Sequence, residues 1–215
     1  MLATPLKREN IAEAVASAVR TMIVDGRLPE GRRVNEVRLA ESLSVSRTPL
    51  REALSGLARE GALLGAAGHG YTVRPLTLQE FDQLYGIRPL LDPEALRLAG
   101  LPERARVEEL EQMNRMFAAA TDPGEAIALD DEWHRRLIDA CPNRVLIELI
   151  EQFMLRTRRY EAALMRETKS VLRGTEDHAH ILAALRDGNL PAACAALKAN
   201  LMSGRAPIVE WLRNR

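Results

Sequence analysis

The sequence predicts a mainly α protein in two parts: an N-terminal winged helix-turn-helix over residues 1–76, then an all-α bundle of six helices over residues 77–215. Three observations carry that expectation. Residues 39–61, LAESLSVSRTPLREALSGLAREG, read as two short amphipathic helices around a tight turn. The following ALLGAAGHGYTVRPL places two short runs on either side of a glycine-rich tip, the pattern of a β-hairpin wing. Beyond Pro75 the apolar spacing is helical throughout, punctuated by proline and glycine.

The elements follow in order. Over residues 10–25, Ile11, Val15, Ala18, Val19, Met22 and Ile23 line one helix face, and Gly26 ends the helix. Leu28-Pro29-Glu30-Gly31 makes a turn and leads into a short extended piece through Val34, after which Asn35 caps the next helix. That helix buries Leu39, Ala40 and Leu43. The one after it buries Leu50, Ala53, Leu54 and Leu57, with Ser46 as cap and Pro49 in its first turn. Wing residues Leu64 and Val73 are expected to turn inward. The six bundle helices span residues 78–99, 102–119, 123–140, 143–167, 171–187 and 190–212, and Pro89 and Pro93 predict a kink or break within the first. With no low-complexity linker, the two parts join around residues 75–77.

Composition narrows the function. Nearly half the residues, 47%, are hydrophobic, enough for a sizeable core, and the formal net charge of zero argues against indiscriminate coating of nucleic acid. The charge is unevenly spread: residues 1–76 hold 11 Lys and Arg against 8 Asp and Glu, leaving the remainder acidic by the same margin. The two cysteines, Cys141 and Cys194, sit in apolar helical patterns and read as buried reduced thiols. No charged-then-apolar leader opens the chain, and no apolar run approaches the ~18 residues of a membrane span. A cytoplasmic protein without membrane partners is expected.

Arg47, Thr48 and Arg51 remain exposed at the start of the second short helix, where amide ends and dipole favour a phosphate and arginine can fork onto guanine. A helical hairpin with a solvated basic edge would look the same. Arg32 and Arg33 read either as phosphate contacts or as a solvated turn, and His69 at the wing tip either reaches DNA or is simply exposed. The literal string EVRLAESLSVSRTPLREAL closely resembles the helix-turn-helix of the GntR family of bacterial transcription regulators, and the likeness continues into the wing. One departure is Ser44, where the family usually has glycine. The resemblance implies operator contacts by Arg33, Arg38, Ser46, Arg47, Thr48, Arg51, His69 and Gly70, made by a homodimer on a near-palindromic double-stranded site.

The bundle carries a second constellation. Asp130 and His134, four apart, share a helix face with Leu137, Ile138 and Cys141, so both point inward. By the same spacing His178 and Asn200 also face the core. Four inward polar groups require partners, supplied either by a divalent metal (zinc, manganese or nickel) or by a hydrogen-bonded network. Here ALDDEWHRRLIDACPN, EDHAHILAALRDGNLPAACAALKANL and YGIRPLLDPEALRLAG resemble the effector-binding FCD domain of the FadR subfamily of GntR regulators, in its VanR-like six-helix form. That likeness implies a metal at Asp130, His134 and His178, with Asn200 standing weakly where the family has a third histidine. It further implies a small-molecule effector, an organic acid, whose carboxylate an arginine would clamp. By spacing two arginines face inward: Arg88 in the seam of Phe81, Leu84 and Leu91, which is also the arginine of the family's first-helix motif, and Arg156 between Phe153 and Tyr160. Arg88 could equally pair with Asp92 or Glu94. Two rivals share these residues: a metal-dependent hydrolase, for which no nucleophile motif appears, and a dimerisation module that senses nothing.

Overall fold

A computed structural model describes residues 8–168 and 174–215, with side chains from residue 11. The chain divides into two compact units, Met1–Leu76 and Thr77–Arg215. In the first, α1 (Arg8–Val24), α2 (Glu36–Ser42) and α3 (Arg47–Arg59) precede the hairpin of β1 (Leu63–Ala66) and β2 (Gly70–Val73). Val19, Leu50, Leu54 and Leu57 are fully buried between α1 and α3. Asn35 caps α2 by accepting from the Arg38 N–H. Ser46 holds the N-cap conformation of α3, yet its hydroxyl makes no capping bond. Ser44 turns the chain at φ 53°, a left-handed conformation in which glycine carries no Cβ penalty.

The wing is antiparallel, with Leu63 opposite Val73. The expectation that Leu64 faces inward is therefore corrected: Leu63 is 1% exposed and Leu64 40%, because alternation along a strand lets only one of two neighbours face the core. The extended piece before α2 adds a third pairing. Val34 N–H donates to Tyr71 O at 2.8 Å, and Val73 N–H to Arg32 O at 2.9 Å.

The second unit contains eight helices among its described residues: α4 (Leu78–Tyr85), α5 (Arg88–Ala99), α6 (Arg104–Ala119), α7 (Pro123–Ile138), α8 (Arg144–Thr168), α9 (Thr175–Arg186), α10 (Leu190–Ser203) and α11 (Arg205–Arg213). Two of the six expected helices are each broken in two. The first breaks at Gly86-Ile87, and Pro89, whose ring cannot continue an uninterrupted hydrogen-bond ladder, follows in the first turn of the next helix; the last breaks at Gly204. Residues 171–173 of the expected 171–187 helix lie outside the described residues. Leu96, Leu110, Trp133, Ile150, Ile181 and Leu197 form the centre of the core, where α10 packs on α5 and α9, and α6 on α7 and α9. The long α8 is buried on successive positions from Ala162 to Met165, so its C-terminal half runs through the interior. No helix among the described residues is long and apolar enough to cross a membrane.

Candidate functional site

Three of the inward polar residues, Asp130, His134 and Asn200, line a cavity of about 490 Å³, and His178 lies buried behind Asp130. Asp122 starts α7 by capping Glu125 N–H at 2.8 Å, with Pro123 in the first turn, and this helix then places Asp130 and His134 one above the other. Asp130 Oδ2 lies 3.8 Å from His134 Nε2, and its Oδ1 lies 3.4 Å from His178 Nε2 on α9. One ligand atom from each of the three residues falls within 4.8 Å of the other two.

The state of His178 follows from its neighbours. Asn114 Nδ2 donates to Thr175 O at 3.1 Å, which turns Asn114 Oδ1 toward His178 Nδ1, also at 3.1 Å. A carbonyl accepts only, so the amide orientation is forced, and Nδ1 must carry the proton. Nε2 then presents a lone pair, fully buried and without a hydrogen-bond partner, toward the Asp130 carboxylate. Two acceptors facing one another repel unless a proton or a metal ion lies between them. The indole of Trp133 stacks on the His178 ring at 3.8 Å and 4°, and its Nε1–H donates to Leu110 O, fixing the ring plane.

Electrostatics agree with this geometry. Burial, reinforced by Glu161 and Asp131, pushes the Asp130 carboxyl up to about 8. Burial lowers His178 to about 4 and takes His134 well below its usual value, so both imidazoles are neutral and able to donate lone pairs. These donors fit a divalent metal, with neutral imidazoles, a carboxylate and an oriented outer partner on His178. Asn200 lines the same cavity, and its Oδ1 is buried without a partner.

Arg88, the first residue of α5, lines the cavity and is buried. Its Nε donates to Asp92 Oδ1 at 2.9 Å, while Nη2 stays buried and unpartnered. Asp92 thus compensates and orients the guanidinium without exhausting it. Arg156 is placed elsewhere. Its Nη2 binds Glu80 at 2.8 Å, and it does not line the cavity; Glu80 also accepts from Tyr160. The spacing between Phe153 and Tyr160 suggested an inward side chain, but a carboxylate on α4 claims it. Sequence reasoning missed Glu161, Thr157 and Tyr85, all of which line the cavity. The available signal was the ladder Thr157, Glu161, Met165 at intervals of four on α8. Gly204 leaves room for Tyr85: a Cβ there would lie 2.6 Å from the phenol oxygen.

In the first unit, Arg38, Ser46, Arg47, Thr48, Arg51 and His69 are exposed, with Arg47 and Thr48 opening α3 and Arg51 one turn further on. Arg51 Nε is 3.2 Å from Glu36 Oε2. Arg33 reaches the wing, where Nη2 donates to His69 O at 3.3 Å. Gly70, at φ 80°, makes space for it, since a Cβ there would lie 2.8 Å from Nη2.

Comparison with known proteins decides the family. Residues 11–73 match the bacterial regulatory proteins of the gntR family, and residues 83–202 match the FCD domain. The chain belongs to the GntR family. The Nta operon transcriptional regulator of Aminobacter aminovorans is 33% identical over 89% of this chain and 91% of its own length. The HTH-type transcriptional regulator LutR of Bacillus subtilis is 30% identical over 84% of this chain and 93% of its own. The solved structure of E. coli McbR/YncC shares the fold, with a TM-score of 0.78, 24% identity and coverage of 98% of this chain and 99% of that one. This GntR protein is accordingly a DNA-binding transcription regulator with an effector-binding FCD domain, and not an enzyme.

Proposed function

We propose that this regulator, a member of the FadR subfamily acting in the cytoplasm, senses a small organic acid at a divalent metal held by Asp130, His134 and His178. The observation that carries the reading is the His178 Nε2 lone pair, buried and unpartnered, facing Asp130 Oδ1 at 3.4 Å with His134 beside it. When bound there, zinc, manganese or nickel supplies a Lewis-acidic position for a carboxylate oxygen. Arg88 offers Nη2 to the same carboxylate, Asp92 holds Arg88 in place, and Asn114 keeps His178 in the donating tautomer. Asn200 is at most a weak ligand.

Two copies would place Arg47, Thr48 and Arg51 in the major grooves of a near-palindromic operator. Arg38 and Ser46 would contact the flanking backbone, and the wing, with His69 and Gly70 steadied by Arg33, would lie alongside. The effector then biases the equilibrium between operator-competent and incompetent arrangements.

Metal content per chain, measured by plasma mass spectrometry on untagged protein purified without chelators, tests the centre. About one equivalent is expected. A value near zero that persists after adding zinc, manganese and nickel would overturn the metal reading. Asp130→Ala should abolish the effector response while leaving DNA binding intact, which separates sensing from a bundle that only dimerises.

A further inference from the structure

The walls of the cavity do not match a simple carboxylate. Four acidic side chains line it, Asp130, Glu161, Glu176 and Asp177, against one basic side chain, Arg88. Both arginines near Glu161 already have carboxylate partners: Arg88 is bound by Asp92 at 2.9 Å, and Arg158 by Asp131 at 3.0 Å. Glu161 itself makes no hydrogen bond or ion pair among the described residues. Asn200 adds a second orphan acceptor, its buried Oδ1, in the same cavity. The matching orphan donor is Arg88 Nη2, itself on a side chain only 8% exposed.

We infer that the effector is an amino-carboxylate, whose carboxylate is taken by Arg88 at the proposed metal and whose ammonium is taken by Glu161, with Asn200 Oδ1 as second acceptor. The inference rests on the organic-acid reading above and adds the cationic group. Charge balance leads to it. A divalent ion with Asp130 leaves one positive charge, which an effector carboxylate cancels, and the Arg88–Asp92 pair is neutral. With Glu176 and Asp177 on the same wall, Glu161 leaves the cavity with an excess of acceptors and of negative charge, and a bound ammonium supplies both the donors and the opposite charge. An ammonium also brings several donors to a site with two orphan acceptors, where a plain fatty acid brings none.

The test is titration calorimetry on the full chain loaded with one equivalent of Zn²⁺. The probes are α- and ω-amino acids of two to six carbons, each against its des-amino parent: glycine with acetate, β-alanine with propionate, 4-aminobutyrate with butyrate, and so on. At least one amino acid is expected to bind about tenfold or more tighter than its parent. In Glu161→Gln that ratio should collapse to about twofold or less while the parent keeps its affinity. Because Glu161 has no partner to lose, this variant should melt no lower than the wild type. Parents that bind as well as every amino acid would overturn the inference and leave the organic-acid reading standing, as would an amine preference that survives Glu161→Gln. Binding by no member of either series would overturn both. Should Glu161→Gln not fold, the wild-type comparison of each pair still decides.

Discussion

Asn114 Oδ1 accepts the Nδ1 proton of His178 at 3.1 Å, and the amide cannot turn because its nitrogen is committed to the Thr175 carbonyl. One asparagine on α6 therefore fixes which nitrogen of a histidine on α9 presents its lone pair. Replacing it with leucine removes the acceptor, and the imidazole is then free to protonate Nε2 instead, aiming a donor where a ligand is needed. Asn114→Leu is expected to weaken metal binding about 10- to 100-fold with the stoichiometry unchanged, read by competition with a chromophoric chelator. Unaltered affinity would mean that the stack on Trp133 alone sets the ring.

The same site predicts how stability varies with pH. In the metal-free chain the carboxyls of Asp130 and Glu161, raised by burial to about 8 and about 7, hold protons that the unfolded chain releases near 4. Their contribution is greatest at low pH and is lost as pH rises through those values. The two imidazoles, lowered by burial, act oppositely below about 6.5, His178 down to about 4, because there the unfolded chain binds protons that the folded one refuses. The slopes offset one another below pH 6.5, and above it only the carboxyls titrate. Metal-free protein should lose stability from pH 6.5 to 8, by up to about 1.4 kcal/mol per pH unit per carboxyl. A metal held by ionised Asp130, as proposed, would remove part of that loss. Urea unfolding with EDTA or with one equivalent of Zn²⁺ should show a gap that widens over this range; a constant gap would mean that Asp130 does not take part in metal binding.

Ser44 provides a test of local backbone strain. At φ 53° its Cβ crowds the following carbonyl, costing on the order of 1 kcal/mol that glycine avoids. The side chain is exposed and caps nothing among the hydrogen bonds of this turn, where Val45 N–H closes onto Ala40 O at 3.0 Å. Ser44→Gly should stabilise the helix-turn-helix unit by up to about 1 kcal/mol, less the extra freedom glycine gains when unfolded. Denaturant unfolding followed by hydrogen exchange at the α2–α3 turn measures it. A loss of stability would assign the serine hydroxyl a role absent from this geometry.

The part of this molecule legible in its sequence is the part set by local spacing. Four residues separate Asp130 from His134, which stacks them on any helix, and Ser44 in place of a turn glycine gives a left-handed residue in any two-helix turn. Leu63 and Leu64 differ by one register step that only the pairing with Val73 resolves. Arg156 sits on a face that spacing marks as inward, yet its partner Glu80 lies 76 positions away, and no periodicity encodes that. Glu161 was hidden for the converse reason. A glutamate beside Tyr160 and Ala162 reads as one polar break in an apolar helix, and only the convergence of α4, α7 and α8 on one cavity gives it a site.

Glu36 and Arg51 bear on DNA recognition. Glu36, in the first turn of α2, holds Arg51 Nε at 3.2 Å, while Arg47 has no ion pair among the described residues. With side chains 48% and 22% exposed, the Arg51–Glu36 pair is partly screened and is worth less than about 1 kcal/mol. DNA can therefore draw Arg51 away at small cost, whereas Arg47 is available without any. Arg47→Ala should lose about 1–3 kcal/mol of specific binding and relax discrimination at one position of each half-site. Glu36→Gln removes a negative charge beside the proposed reading helix and frees Arg51, so it should tighten binding to operator and to random duplex alike. Both follow from fluorescence anisotropy on a site selected from random DNA by the full chain. If Arg47→Ala bound that site as tightly as the wild type, α3 would not be the reading helix. If Glu36→Gln weakened only specific binding, the ion pair would instead serve to aim Arg51 at a base.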